Sequence, residues 1–504
     1  MEPLLAADDI ARLADALARA RYTSHGIAER IGPAAVDAVR RNDFRGMLRA
    51  TTERDPLATL VRLFLGGQTE SAAAVEAALH PLPLEAAVRA GLVEPYGDGL
   101  HAGVDLDVYA HDDVDRWVLS DLDVDARLEP TQPPLGEARR LGPIREDHVL
   151  GIGNAATTLA AATPRTQVST SLDIGTGCGV QACRLSAHSD SVTATDVSPR
   201  ALRFAATTAA LNGLTWELLA GDLAAPVAGR RFDLVVSNPP FVIGPGSTRY
   251  MYRDSGRAGD AICAELAATA PDLLTEGGTM QFLANWLHVT GEDWHDRVAG
   301  WVAGTGCDAW IVQREVSDPV EYVNLWLRDA SEAFDPARAE AWLDWFDAVK
   351  AEGVGYGLVT LRRSGRDVPV VRVEDLRQAP VPSLGTHVPG WFERQDWLAD
   401  HDVLDFSYRQ APGLRLTQEA LFEADDWAVD RQLLVQTDGL KWSEEVDPVA
   451  LALVSGADGI VPLRGQLAVL AAAFDTPEPV LAAMAVPVVS HLVERGYLIP
   501  VRVP

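Results

Sequence analysis

A glycine-rich loop at the junction of a strand and a helix constrains this 504-residue chain more than any other feature. Leu172-Asp173-Ile174-Gly175-Thr176-Gly177-Cys178-Gly179 ends an apolar, strand-like run and precedes a helix from about Val180. Gly175, Gly177 and Gly179 remove side-chain bulk, so the backbone can approach a ligand closely. The helix behind them aims its first amides at that ligand, which suits an anion. Asp173 can anchor the loop and contact a cationic part of the same ligand. Alone, such a loop would serve a dinucleotide equally well, or only make a tight turn.

The flanking pattern narrows the choice. From about Asp147 to Gly365, short apolar runs alternate with helical segments, which predicts a parallel sheet covered by helices. The strands fall at Thr170–Asp173, Ser191–Thr195, Trp216–Ala220, Phe232–Ser237, Thr279–Asn285, Ala309–Arg314 and Gly355–Arg362. Seven strands complete a doubly wound, Rossmann-like α/β sheet. A helical insertion rich in Trp and acids, Pro319–Lys350, separates the last two. Asp196 ends the second strand, 23 residues after Asp173, where a carboxylate can accept both hydroxyls of a ribose. It can instead cap the helix opening at Pro199, a role for which Ser198 competes. Gly221-Asp222-Leu223 follows the third strand, placed to contact a purine amino group through the Asp222 carboxylate or the Leu223 amide.

Asp233-Leu234-Val235-Val236-Ser237-Asn238-Pro239-Pro240-Phe241 is the most specific run in the chain. Pro-Pro after a strand can merely terminate it. The residue types suit a larger role. The Asn238 side-chain oxygen and the Pro239 carbonyl are two acceptors that can hold the two hydrogens of a planar amino or amide nitrogen. Phe241 can stack on the flat group that bears it. Catalysis of this kind works by positioning and oriented dipoles rather than by a strong base.

The ordered set of Asp-x-Gly-x-Gly-x-Gly, Asp196, Gly221-Asp222 and Asn-Pro-Pro-Phe resembles the class I S-adenosylmethionine-dependent methyltransferases over about residues 147–362. It is similar to the subgroup that methylates glutamine in release factors, adenine N6 or guanine N2. The resemblance implies S-adenosyl-L-methionine as cofactor, held by Asp173, Gly175, Gly177, Gly179, Asp196, Asp222 and Leu223. It implies catalysis by Asn238, Pro239 and Phe241. Release-factor enzymes usually carry Tyr where Phe241 stands, and rRNA guanine enzymes more often Phe. In related amino-methyltransferases, a segment before the glycine loop closes over the methionine end of the cofactor. Gly153 and Thr157 match it by position, although an ordinary helix start reads the same. In Thr248–Gly256, Arg249 and Arg253 are either contacts for a carboxylate or phosphate of the acceptor or plain surface arginines. Gly244-Pro245-Gly246-Ser247 can let that loop close as a lid. Trp286 and His288 either line the same cleft or pack in the core.

Two further domains flank this one, giving expected limits of 1–146, 147–365 and 366–504. The N-terminal part has helical periodicity at Leu5–Ala20, Pro33–Thr52 and Leu84–Ala90. An apolar run at Leu92–Tyr96 and a turn at Gly97-Asp98-Gly99 follow, an order like a small winged helix. Nine acids and two arginines between Asp105 and Glu129 make an odd neighbour for a DNA-binding wing. In the C-terminal part, Pro380, Pro382, Pro389, Gly385 and Gly390 predict an irregular linker. Helices at Pro448–Ser455, Leu463–Phe474 and Val486–Glu494, then a strand after Gly496, again suggest a winged-helix-like unit. Either unit binds a partner or only buttresses the enzyme.

A formal charge of −29 disfavours broad binding to a phosphate backbone without excluding a local basic patch. No charge-free apolar run reaches the length of a membrane span, and Met1-Glu2-Pro3 lacks the basic start of a secretory signal. Four scattered cysteines without metal-type spacing suggest reduced thiols in a cytoplasmic protein. The expected acceptor is a macromolecule, either a protein glutamine or a nucleic-acid base. The alternatives are a small-molecule amine or amide, and a catalytically dead binding protein. A basic rim points to nucleic acid and an enclosed pocket to a small molecule.

Overall fold

The computed structural model describes residues 1–39, 41, 43–111, 114–122, 145–329, 335–381, 383–423, 426–473 and 475–501. The chain divides into two compact units, Met1–Ala160 with Gln167–Asp375, and Ala161–Thr166 with Leu376–Pro504.

The first unit is built on one sheet of eight strands: β1 (Val168–Ile174), β2 (Ser189–Asp196), β3 (Glu217–Ala220), β4 (Phe232–Ser237), β5 (Leu274–Val289), β6 (Asp308–Ser317), β7 (Ala351–Arg362) and β8 (Val371–Asp375). Their order is β8-β6-β7-β5-β4-β1-β2-β3. The seven-stranded parallel sheet expected from sequence is corrected in two ways. First, β7 is antiparallel to both β5 and β6. A single crossover helix returns the chain to the edge where a strand began, and so gives parallel pairing. Between β6 and β7 lie two helices, α4 (Pro319–Asp329) and α5 (Pro336–Ala348), which bring the chain back to the edge it left. Ser317 therefore pairs with Val354. Second, β8 adds a parallel edge beside β6. Its Val-Arg-Val-Glu-Asp sequence is half polar and largely uncovered, so it carried little strand signal, and it lies past residue 365.

This topology puts the functional segments on one edge. In a parallel sheet, ligands bind beyond the carboxyl ends of the strands. The glycine loop follows β1, Asp196 ends β2, Gly221 follows β3 and Asn238 follows β4. The α4–α5 pair stands at the same edge, because β6 runs with these strands. Around the sheet, α1 (Asn154–Ala162), α2 (Val180–Leu185) and α3 (Pro199–Leu211) follow the same logic of strand and covering helix. Ser198 caps α3 by accepting the Ala201 amide at 3.2 Å, with Pro199 at the first helical position.

The N-terminal helices share a core with α2 and α3. Leu13, Tyr22, Leu63, Leu106 and Val118 are buried in one cluster with Cys183, Phe204 and Ala205. Side chains of α3 also bond this region's backbone: Thr207 accepts from the Leu4 amide and Thr208 from the Leu119 amide. The expected hairpin is present at Val93–Tyr96 and Gly99–Ala102, and a second pairs Asp105–His111 with Val114–Ser120. The acidic positions 123–129 lie outside the described residues.

In the second unit, the segment read as an irregular linker is the helix Leu384–Asp400. Pro389 sits inside it, and burial of Leu384, Val388, Trp391 and Phe392 outweighs the lost hydrogen bond. Gly385 is required there, since a Cβ would stand 2.2 Å from the Thr163 carbonyl oxygen. Pro382 lies outside the described residues. The last helix is longer than expected, Glu478–Glu494, and runs through Pro487. Two three-stranded sheets complete the unit. Among the described residues, no helix is long and apolar enough to cross a membrane.

Candidate active site

The functional edge of the sheet carries a cleft of about 410 Å³, within the span of small-molecule pockets, roughly 300–1,000 Å³. The glycine loop forms its floor. Gly175, Gly177 and Gly179 all have positive φ, at 73°, 56° and 93°. Gly179 is also a packing requirement, because a Cβ there would lie 2.6 Å from the Trp216 ring. Nothing stands within 4 Å of the Cβ position of Gly177, so its backbone faces open space.

Asp173 holds this loop from behind. It is fully buried, and its Oδ2 accepts the Thr176 hydroxyl at 2.7 Å and the Ala182 amide at 3.2 Å. Burial pushes its carboxyl up to about 7, against the Thr176 hydrogen bond, while the nearby Asp196 charge adds to the rise. Its Oδ1 is buried with no hydrogen-bond partner among the described residues. Asp196 lines the cleft, and its two oxygens accept the Gly177 and Ser198 amides, both at 2.8 Å. Each oxygen keeps a lone pair for a further donor. Burial raises its pKa. Asp222 and Leu223 line the next wall. Leu223 is held at φ 45°, an uncommon conformation for a branched residue, and its carbonyl accepts the Thr195 hydroxyl at 2.9 Å.

Opposite the loop runs the segment from His148 to Gly153, all before α1. Gly153 lines the cleft. Thr157 does not: its hydroxyl turns back to the Gly153 and Asn154 carbonyls at 3.2 and 3.1 Å, as a helix start would have it. The segment is fastened at Val149 by Asp121, a residue that sequence reasoning missed, and its neighbour Glu146 accepts the Met251 amide at 3.0 Å.

Asn238 enters the cleft directly after β4, half-buried, with Pro240 beside it. Ser237 fixes the strand end by donating to the Ile174 carbonyl at 2.8 Å. The Phe241 amide donates to the Pro239 carbonyl at 2.7 Å, closing a three-residue turn. Pro239 and Phe241 do not line the cleft; the Phe241 ring meets Trp326 edge-on at 6.1 Å.

The loop after the motif divides its arginines. Arg253 is buried, 3.3 Å from Asp254 and 3.9 Å from Asp329, and it donates to the Trp326 carbonyl. Such a guanidinium is structural, which corrects its expected role as a substrate contact. Arg249 is exposed, its guanidinium 5.6 Å over the Tyr250 ring. Arg257, not singled out from sequence, lines the cleft and pairs with Glu265 and Asp222. Trp286 is buried in the core and His288 half-buried beside it: both bond Gln313 and stack on Trp294, and neither lines the cleft.

The residues fit S-adenosylmethionine. The donor set has an open glycine backbone and spare lone pairs on Asp196 for ribose hydroxyls, while the buried Asp173, with one oxygen unsatisfied, stands behind the loop and is not among the residues that line the cleft. Fold and site together define an S-adenosylmethionine-dependent methyltransferase domain of class I. Residues 151–291 match the family described as "Methyltransferase small domain". Residues 19–103 and 389–500 match two families described as domains of unknown function, DUF7059 and DUF7782.

Among curated proteins, the chain is similar to "Ribosomal RNA small subunit methyltransferase C" of Alcanivorax borkumensis, 35% identical over 114 residues, covering 23% of this chain and 31% of the relative. The Salmonella arizonae protein of the same name is 33% identical over 129 residues, covering 25% and 34%. The chain thus spans about a third of the length of these relatives. Among solved structures, the 16S rRNA N2 methyltransferase of T. thermophilus, in complex with AdoMet and guanosine, aligns with a TM-score of 0.25 at 16% identity. That alignment covers 40% of this chain and 52% of the other.

Proposed function

We propose that the chain is an N-methyltransferase whose acceptor is the exocyclic amino group of a nucleic-acid base. The observation that carries this reading is the position of Asn238, half-buried in the same cleft as Gly175, Asp196 and Asp222 and followed by Pro-Pro-Phe. S-adenosylmethionine supplies an electrophilic methyl group when bound. The Asn238 side-chain oxygen accepts one N–H of the acceptor nitrogen. The Pro239 carbonyl, which accepts the Phe241 amide and does not line the cleft, holds the turn that presents Asn238. The Asn238 oxygen favours the nitrogen as it becomes tetrahedral and positive. The names of the curated relatives support a ribosomal RNA base over a protein glutamine.

One observation favours a second reading, a small-molecule amine or amide. Among the described residues lining the cleft, three carboxylates, Asp196, Asp222 and Asp254, face a single arginine, Arg257. That lining is not a basic rim, and it agrees with the chain's charge of −29.

The test uses the full chain, an Asn238→Ala control and methyl-labelled S-adenosylmethionine. Fractionated lysate from a host lacking the gene supplies the acceptors. Label in RNA that digests to a methylated nucleoside supports base methylation. Label in small molecules supports the second reading, and label in protein returns the reading to glutamine.

A further inference from the structure

The aromatic residue of the motif does not face the ligand space. Phe241 lies outside the lining of the cleft, with its ring edge-on to Trp326 at 6.1 Å. A flat acceptor therefore needs another surface to pack on. Among the described residues, the aromatic side chains that line the cleft are His148 and Tyr252.

Tyr252 stands on the acceptor side. Its turn is bonded to the motif: the Val242 amide donates to the Arg253 carbonyl at 3.3 Å, and Phe241 pairs with Asp254 in an antiparallel bridge. β4, which leads into the motif, lies on the other side of β1 from β2 and β3. Asp196 and Asp222 stand at the ends of those two strands, so Tyr252 is tethered across the glycine loop from both carboxylates.

The ring is fixed before a ligand arrives. Its hydroxyl donates to Asp329 of α4 at 2.8 Å. The His148 ring meets it edge-on, with centroids 5.8 Å apart, and the Tyr250 ring stands 6.0 Å away. The Met251 amide donates to the Glu146 carbonyl at 3.0 Å, so the same turn reaches from the motif to the wall that carries His148. Tyr252 is nevertheless only half-buried, and its open part lines the cleft. A ring already held in one orientation loses little freedom when a ligand packs on it.

The rest of the lining favours stacking as the source of affinity. Arg257, the one arginine among the described lining residues, pairs with Glu265 and Asp222, and three carboxylates share the walls. Such walls attract a phosphate backbone weakly, whereas every base offers a π-face to an aromatic ring.

We propose that Tyr252 is the platform on which the acceptor base stacks, in place of Phe241. The inference rests on the base-methylation reading above. The bond to Asp329 leaves the hydroxyl engaged and commits only the ring face to the base, so the platform holds a flat group without choosing among bases. Selection by hydrogen bonding then falls to Asn238.

The experiment titrates the full chain, loaded with S-adenosylhomocysteine, with adenosine, guanosine and cytidine, the nucleosides whose bases bear an exocyclic amino group. It is repeated on Tyr252→Phe, Tyr252→Leu and Phe241→Leu. Tyr252→Phe keeps the ring and should bind nucleoside as the natural chain does. Tyr252→Leu should bind it about tenfold more weakly, the loss of one base–aromatic stack. Phe241→Leu should lose less than Tyr252→Leu, and S-adenosylhomocysteine affinity should stay the same throughout. A second readout serves if the leucine variant does not fold. The ring-proton resonances of Tyr252, assigned by their absence in Tyr252→Phe, should shift when nucleoside is added, because a stacked base imposes its ring current on them. Three results overturn the platform and leave the base reading standing, provided that a nucleoside binds the natural chain: a folded Tyr252→Leu keeps that affinity, it loses S-adenosylhomocysteine as strongly, or the Tyr252 resonances stay in place. If none of the three nucleosides binds the natural chain, the base reading and the platform fall together.

Discussion

Asp121 grips Val149 from both directions. Its backbone amide donates to the Val149 carbonyl at 3.1 Å, and its Oδ2 accepts the Val149 amide at 2.9 Å. The same carboxylate receives the guanidinium of Arg200, in the first turn of α3. One buried side chain from the N-terminal part thus ties a wall of the cofactor cleft to the helix that follows Asp196.

Loss of that tie should loosen the cofactor without touching the chemistry. Asp121→Ala leaves the Val149 amide and Arg200 without their acceptor, a cost of about 1–3 kcal/mol. The expected outcome is weaker S-adenosylmethionine binding by calorimetry, with kcat unchanged at saturating cofactor. A fall in kcat with unchanged affinity would move Asp121 to the acceptor side.

Asn238 and Asp196 should separate cleanly. Asn238→Ala removes an acceptor that matters as charge develops on the nitrogen, so kcat should drop by about 100-fold or more. Cofactor affinity should barely change. Asp196→Ala should do the reverse and weaken the cofactor first. Equal loss of both properties in Asn238→Ala would sink its assigned role, and unchanged affinity in Asp196→Ala would mean that the ribose lies elsewhere.

Asp173 gives the domain a pH dependence. Burial raises its folded-state pKa to about 7, against 3.8 for the free carboxyl. Between about pH 4 and pH 7 the folded protein therefore holds a proton that the unfolded chain has lost, and stability falls as pH rises through that window. Asp173→Asn lacks this term, so the slope of unfolding free energy against pH should flatten in the variant without cofactor. A cation contacting the carboxylate favours its charged form. Cofactor affinity in the natural protein should then climb with pH through the same window, and more steeply than in Asp173→Asn. Parallel binding profiles would remove Asp173 from direct contact with the cofactor.

Arg249 and Arg253, four residues apart, should behave as different kinds of residue. Arg253→Ala strips a buried charge from Asp254 and Asp329 and should lower stability by about 3 kcal/mol or more. Arg249→Ala should leave thermal unfolding in place and raise only the acceptor KM. A stable, active Arg253→Ala would return that residue to the surface role open to it from sequence.

The legible parts of the site are those in which local backbone and chemistry are set by neighbouring residues. Gly175, Gly177 and Gly179 advertise positive φ, Ser198-Pro199 marks a helix start that leaves Asp196 to the cleft, and Asn-Pro-Pro-Phe carries its own geometry. The illegible parts depend on partners far along the chain. Arg253 looks like a loop arginine until Trp326 and Asp329 close over it. Asp121 belongs to an acidic run in which nothing singles it out, and only Val149 and Arg200 give it a task. The reversal of β7 follows from a count of helices between strands rather than from the strand itself. The helix through Pro389 is decided by aromatic burial, which overrides the local breaker.

The paired helices between β6 and β7 stand apart from the lining of the cleft in the chain's architecture. The cleft is lined by the ends of the first four strands, by the segment 148–156 and by the loop after Asn238, whereas no described residue of α4 or α5 lines it. Such an insertion can be lengthened, recharged or exchanged at two nearby strand ends, Ser317 and Ala351, with the methyl-donor apparatus left as it is. Evolution of a new specificity from this scaffold would begin in Pro319–Ala348, and so would its redesign.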